Sequence, residues 1–146
     1  MSTYVYDANQ VAVSFFGIPI DSGYADGEFL TIIQNENDWV EVVGTDGTVA
    51  VCATNNRTAK IQLKLLQVSP GNDALSAIRT LQVSTQNGTG FGPFLVKDLL
   101  GTSMYSALHC WVAKPPDVGF DRAAKDRVWT IGVSDLVRID GGNTPV

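Results

Sequence analysis

The chain has 146 residues, enough for one domain spanning 1–146 with a hydrophobic core, and its charged share of 17 % lies below the roughly 25 % usual in soluble domains. No stretch approaches the roughly 20 apolar residues of a membrane span, and polar, aromatic Met1–Gln10 lacks a basic region followed by an apolar run, so neither a membrane partner nor a secretory leader is expected. The net charge of −5 is unevenly placed: residues 1–56 hold Asp7, Asp21, Asp26, Glu28, Glu36, Asp38, Glu41 and Asp46 but no lysine or arginine, the reverse of a protein that grips phosphate.

Taken in chain order, strand signals dominate. Val11, Val13 and Phe15 alternate with smaller residues until Gly17 and Pro19 interrupt. Phe29–Ile33 is a β-branched run closed by a polar turn at Gln34–Asp38. Strand character resumes at Trp39–Val43, and the turn Gly44–Gly47 leads into Thr48–Ala53, which predicts a hairpin. Ala59, Ile61, Leu63 and Leu65 alternate with Lys60, Gln62 and Lys64, a period of two that predicts one buried and one wet face. The period then changes. Ser69 or a residue of Gly71–Asp73 can cap a helix, with Pro70 acceptable just inside its start. Leu75, Ile78 and Leu81 form the apolar stripe of that helix. A glycine-rich loop at Gln86–Pro93 ends it, and strands return at Phe94–Asp98, Ser103–Lys114 and Arg127–Asp140, the last two separated by the polar loop Pro115–Asp126. The fold class expected is mainly β: a β-sandwich or partly closed barrel with one flanking α-helix.

No catalytic set emerges, and no enzyme, metal or cofactor is expected. The one histidine, His109, sits next to Cys110 on a strand, where neighbours face opposite ways, so they cannot form a nucleophile–base pair. One His and two distant cysteines, Cys52 and Cys110, cannot supply a zinc site; both are expected to be free thiols turned toward the core. Gly88-x-Gly90-x-Gly92 follows a helix and precedes a strand, the reverse of a phosphate-binding loop. Glu28, Glu36, Asp38 and Glu41 could include an acid/base pair, but nothing marks one of them for a raised pKa. Trp39, Trp111 and Trp129 lie in apolar strands, where core or interface packing is the commoner use.

Several segments, read together, resemble a known family. They are Gly17–Asp21, Gly23–Phe29, Val43–Gly47, Thr54–Arg57 running into the alternating strand, Gln67–Ile78, Lys114–Arg122, Trp129–Ile131 and Asp140–Asn143. In this order, over nearly the whole chain, they resemble the tail tube (inner tube) protein of contractile-tailed bacteriophages. The resemblance implies hexameric rings whose inner sheets join into one barrel and stack into a tube, inside a contractile sheath. It also implies a tape-measure protein within, baseplate and tail-terminator proteins at the ends, a virion location after assembly in the host cytoplasm, and DNA passing through without specific binding. Thr48 and apolar Val49–Val51 stand where family members often carry an acidic and then a basic residue, so an apolar contact is expected there in place of a charged one.

On that resemblance the acidic first third acquires a use. Carboxylates on a pore wall repel phosphate at close range, whereas each lysine or arginine would hold it. Glu28, Glu36, Asp38 and Glu41 are the channel-lining candidates, not all at once, since residues of one strand alternate in facing. Asp46, Thr48, Arg57, Lys60 and Lys64 are the candidates for contacts to a neighbouring ring or the sheath; solvated charges are the alternative for the last three, which are expected on the wet face of the alternating strand. A tube of a DNA-free contractile injection device, and a carbohydrate-binding β-sandwich using tryptophans and loop acids, are the other functions weighed.

Overall fold

A computed structural model describes residues 1–146. In chain order the strands are β1 (Val11–Phe15), β2 (Ile18–Pro19), β3 (Leu30–Gln34), β4 (Trp39–Val43), β5 (Val49–Ala53), β6 (Ala59–Leu66), β7 (Gly92–Asp98), β8 (Met104–Lys114), β9 (Asp126–Val133) and β10 (Val137–Ile139). Helix α1 (Gly71–Thr85) lies between β6 and β7. One antiparallel sheet runs β2-β1-β7-β8-β9-β6-β3, with β10 paired to β8; β4 and β5 form a separate two-stranded ribbon.

The period-two pattern of β6 is obeyed throughout: Ala59, Ile61, Leu63 and Leu65 are buried while Lys60, Gln62, Lys64 and Leu66 are not. Val13 and Phe15 of β1, near the other end of the sheet, belong to the same hydrophobic cluster. The sheet must therefore curl until its two halves face each other across one core. It does not close, because β1 and β3 are not hydrogen-bonded to each other. The architecture is a partly closed barrel with one flanking helix, as the alternation predicts.

Helix α1 seals the core by burying Leu75 and Ile78. Leu81, the third member of the expected stripe, is instead exposed. Its start is held by buried Ser69, whose Oγ accepts from the Gly71 amide (3.2 Å) and donates to the Ser22 carbonyl (2.8 Å). Pro70 is the cap residue itself, one position earlier than expected. The Trp129 indole donates to Asn72 (2.9 Å), and Gln82 accepts from the Val112 amide (2.8 Å), so α1 is pinned near both ends to β9 and β8.

Two expectations need correction. The strand expected over Arg127–Asp140 is interrupted at Ser134–Leu136, because the amide and hydroxyl of Ser134 both donate to the His109 carbonyl and Leu136 turns into the core. Strand β8 is irregular at the same level. Ala107 and Cys110 are both buried although three residues apart, and the β7–β8 register shifts there, as a bulge requires.

Glycine is needed where Trp111 crosses its neighbour strand. A Cβ on Gly132 would lie 2.4 Å from the Trp111 indole nitrogen. Gly132→Ala is therefore expected to cost about 1–3 kcal/mol in denaturant unfolding, and Trp111→Ala added to it should recover part of that loss.

Candidate assembly and channel surfaces

Residues 39–53 form a ribbon that stands apart from the main sheet. Both strands of the ribbon are apolar but for Glu41, and every residue of β4 and β5 is exposed. The pairs Trp39–Ala53, Glu41–Val51 and Val43–Val49 share one face, while Val40–Cys52 and Val42–Ala50 share the other. One face is wholly apolar and the other carries one charge, Glu41. An isolated two-stranded ribbon is marginal in water, and apolar patches of this kind mark interaction surfaces.

At its tip, Gly47 adopts φ +88° and the Gly44 amide bonds the Thr48 carbonyl (2.7 Å). The Thr48 amide donates to the Asp46 carboxylate (3.0 Å), which holds that group below the usual carboxylate range. Asp46 and Thr48 thus shape the turn together.

The root is stapled by side-chain amides. Gln34 donates to the Asp38 carboxylate (2.8 Å) and the Glu36 carbonyl (2.7 Å), and Asn56 donates to the Glu36 carboxylate (3.0 Å). The Thr54 hydroxyl closes the other side by donating to the Asn37 carbonyl (2.6 Å). Glu36 and Asp38 are thereby brought to one place. A groove of about 540 Å³ opens beside them, lined by Asp38, Trp39, Arg57, Val137 and Arg138 among others.

The other candidates lie elsewhere. Glu28 accepts from the Thr31 hydroxyl and borders a cleft of about 390 Å³ between β3 and the β1–β7–β8 half of the sheet. Glu41 stands alone at mid-ribbon. Lys60 and Lys64 occupy the outer face of β6, Lys60 exposed and Lys64 half-buried. Arg57 is not on that strand: it precedes β6 as an exposed residue whose carbonyl accepts from the Leu136 amide (3.1 Å). The chain's ion pairs are Lys114–Asp117, Lys125–Asp121 and Arg138–Asp140. None involves a charged candidate residue.

Sequence reasoning passed over one polar cluster. Arg138 donates twice to Asp140 (2.9 and 3.0 Å), lies 5.5 Å over the Tyr105 ring, and Tyr105 donates to the same carboxylate (2.7 Å). The Arg138 guanidinium and the Tyr105 hydroxyl hold the Asp140 carboxyl below its ordinary range. The only trace in the sequence is an arginine two residues before an aspartate; the tyrosine arrives through the β8–β10 pairing. The tryptophans form no shared platform: Trp129 is buried, Trp111 packs against Phe91, and Trp39 alone is widely exposed.

Comparison with known proteins decides the family. The family model of the bacteriophage PhiTE tail tube protein matches residues 1–141. The chain belongs to this tail tube family. A curated relative, structural protein ORF10 of Pseudomonas phage KPP10, is 26 % identical over 125 residues, covering 86 % of this chain and 72 % of that protein. Among solved structures, the anti-feeding prophage cap, a tube-terminating cap, matches with a TM-score of 0.62 at 11 % identity, covering 99 % of this chain and 95 % of the other. At that identity the likeness shows the fold alone. The family match takes in the ribbon as well as the barrel.

The two thiols of the tail tube chain differ sharply. Cys52 lies exposed on the ribbon, against the expectation of a core position, while Cys110 is buried and its thiol is pushed up to about 11 by burial. A thiol reagent at neutral pH is expected to label Cys52 alone until denaturant is added. Stability contributed by the neutral Cys110 thiol is complete below its ordinary value of 9.0 and is lost as pH rises toward about 11. Unfolding midpoints across that range should fall more steeply in the parent chain than in Cys110→Ala.

Proposed function

We propose that this phage structural protein assembles into hexameric rings that stack into a tail tube, inside a contractile sheath, forming an acidic channel through which DNA passes. The observation that carries this reading is the exposed apolar ribbon, in a chain matched over 1–141 by a tail tube family. A surface of that kind is stable when a neighbour covers it, and a ring of identical copies supplies a neighbour at every position. The role is structural rather than catalytic.

The carboxylates we place toward the lumen are Glu28, Glu36 and Asp38. None takes part in an intrachain ion pair, and carboxylates on a pore wall repel phosphate over about 8 Å at physiological salt. Asp46 and Thr48 at the ribbon tip, and Arg57, Lys60 and Lys64 near or on β6, are placed at contacts with adjacent rings or the sheath. A tape-measure protein inside and baseplate and terminator proteins at the ends complete the assembly, which forms in the host cytoplasm before entering the virion. The same fold would serve a DNA-free injection device; the phage tail tube family and the phage relative favour a phage tail.

Negative-stain microscopy of the purified protein tests this directly. Rings with sixfold class averages, or stacked tubes, are the expected result, and a protein that stays monomeric at high concentration overturns it. For the channel, tubes of the parent chain should leave short DNA unretained in a filter assay at low salt. Tubes carrying Glu36→Lys and Asp38→Lys should retain it, with retention falling as salt rises. Equal retention by both would remove these residues from the lumen.

A further inference from the structure

A second uncovered surface lies on the opposite half of the sheet. On β1, Val13 and Phe15 face the core, so Ala12 and Ser14 face out. Cross-strand register places Leu95 and Lys97 of β7 beside them, then Met104 and Ser106 of β8, then Val137 and Ile139 of β10. Leu95, Lys97, Val137 and Ile139 are exposed, and the hydrogen bond from α1 to β8 lies at Val112, beyond Met104 and Ser106. Lys97 is its single charged residue and takes part in no ion pair.

The ribbon face of Trp39, Val43, Val49, Val51 and Ala53 is the counterpart: apolar, with the single charge Glu41 at its middle and no ion pair or side-chain hydrogen bond to hold it. The sizes agree. Five residues of strand extend about 17 Å, and four neighbouring strands span about 14 Å. We propose that this ribbon face of one copy docks on the outer face of β1, β7, β8 and β10 of the adjacent copy, with Glu41 paired to Lys97. The proposal rests on the tube-subunit reading and names the contact that joins its copies.

The alternative seat within a second copy is the outer face of β3, β6 and β9. Its side chains are Thr31, Gln62 and Thr130 with Lys60 and Lys64, beside the apolar Ile33 and Val128, and an apolar ribbon laid there would strand several polar groups without partners. The Lys97 face has one charge to match one charge. Because ribbon and sheet face are different patches of the same chain, repeating the contact in one direction yields a closed ring or an open helix, whereas a reciprocal exchange would close a two-fold pair.

The test uses the full chain. Glu41→Lys and Lys97→Glu are each expected to raise the concentration needed for assembly roughly 30-fold or more, as loss of one partner of a desolvated pair does. The double exchange should recover most of that, while Lys60→Glu and Lys64→Glu combined with Glu41→Lys should not; circular dichroism checks that each variant folds. Independently, Glu41→Cys with Lys97→Cys in a Cys52→Ala background should give, on oxidation, a ladder of disulfide-linked multimers. Assembly of both single variants at the parent concentration, or rescue of Glu41→Lys by the β6 changes, overturns the proposal while leaving the tube reading intact. A disulfide ladder without rings or tubes overturns the tube reading and keeps the contact. A parent chain that never self-associates sinks both.

Discussion

The inner face of β6 is what the rest of the molecule is built against. Four apolar side chains, Ala59, Ile61, Leu63 and Leu65, are each no more than 1 % exposed, and burying a leucine or isoleucine contributes roughly 1.5–3 kcal/mol. To cover that face the sheet must bring β1 and β7 round from its far half, and α1 must lay Leu75 and Ile78 against what remains open. The curl, the flanking helix and the unclosed gap between β1 and β3 all follow from satisfying one row of side chains.

What that core leaves uncovered is as informative as what it hides. Only 22 of 146 residues are buried, so much of the apolar content stays outside: the whole β4–β5 ribbon, and Leu95, Val137 and Ile139 on the outer sheet face. Scattered exposed apolar residues need no explanation, but here they are gathered on specific faces by strand register. A domain that stops packing so early is one whose burial is completed by other copies, as a tail tube requires.

Charge follows the same division. The carboxylates of the first third take part in no intrachain ion pair, and the amides of Gln34 and Asn56 fix Glu36 and Asp38 at the ribbon root. A neutral amide donor orients a carboxylate and leaves its field intact, which suits the proposed channel wall. The internal ion pairs are placed elsewhere, in the 114–125 segment and at Arg138–Asp140.

Local pattern alone determined most of the strands, where α1 lies, and which side of β6 is buried, because alternation and helical spacing are read within a few residues; it did not mark β2 or the break between β9 and β10. The hairpin at 39–53 was also legible, from two β-branched runs around Asp46-Gly47. Tertiary structure decided the rest. Nothing in Trp39–Val43 says that its partner strand has no third neighbour, so the exposure of Cys52 and Trp39 was invisible. The break at Ser134–Leu136 depends on a carbonyl at His109, twenty-five residues away, and the bulge that buries both Ala107 and Cys110 lies at the same level. The isolation of Lys97 on an apolar face is set by cross-strand register. Sequence spacing does not encode register, because it depends on which distant strand comes to lie alongside.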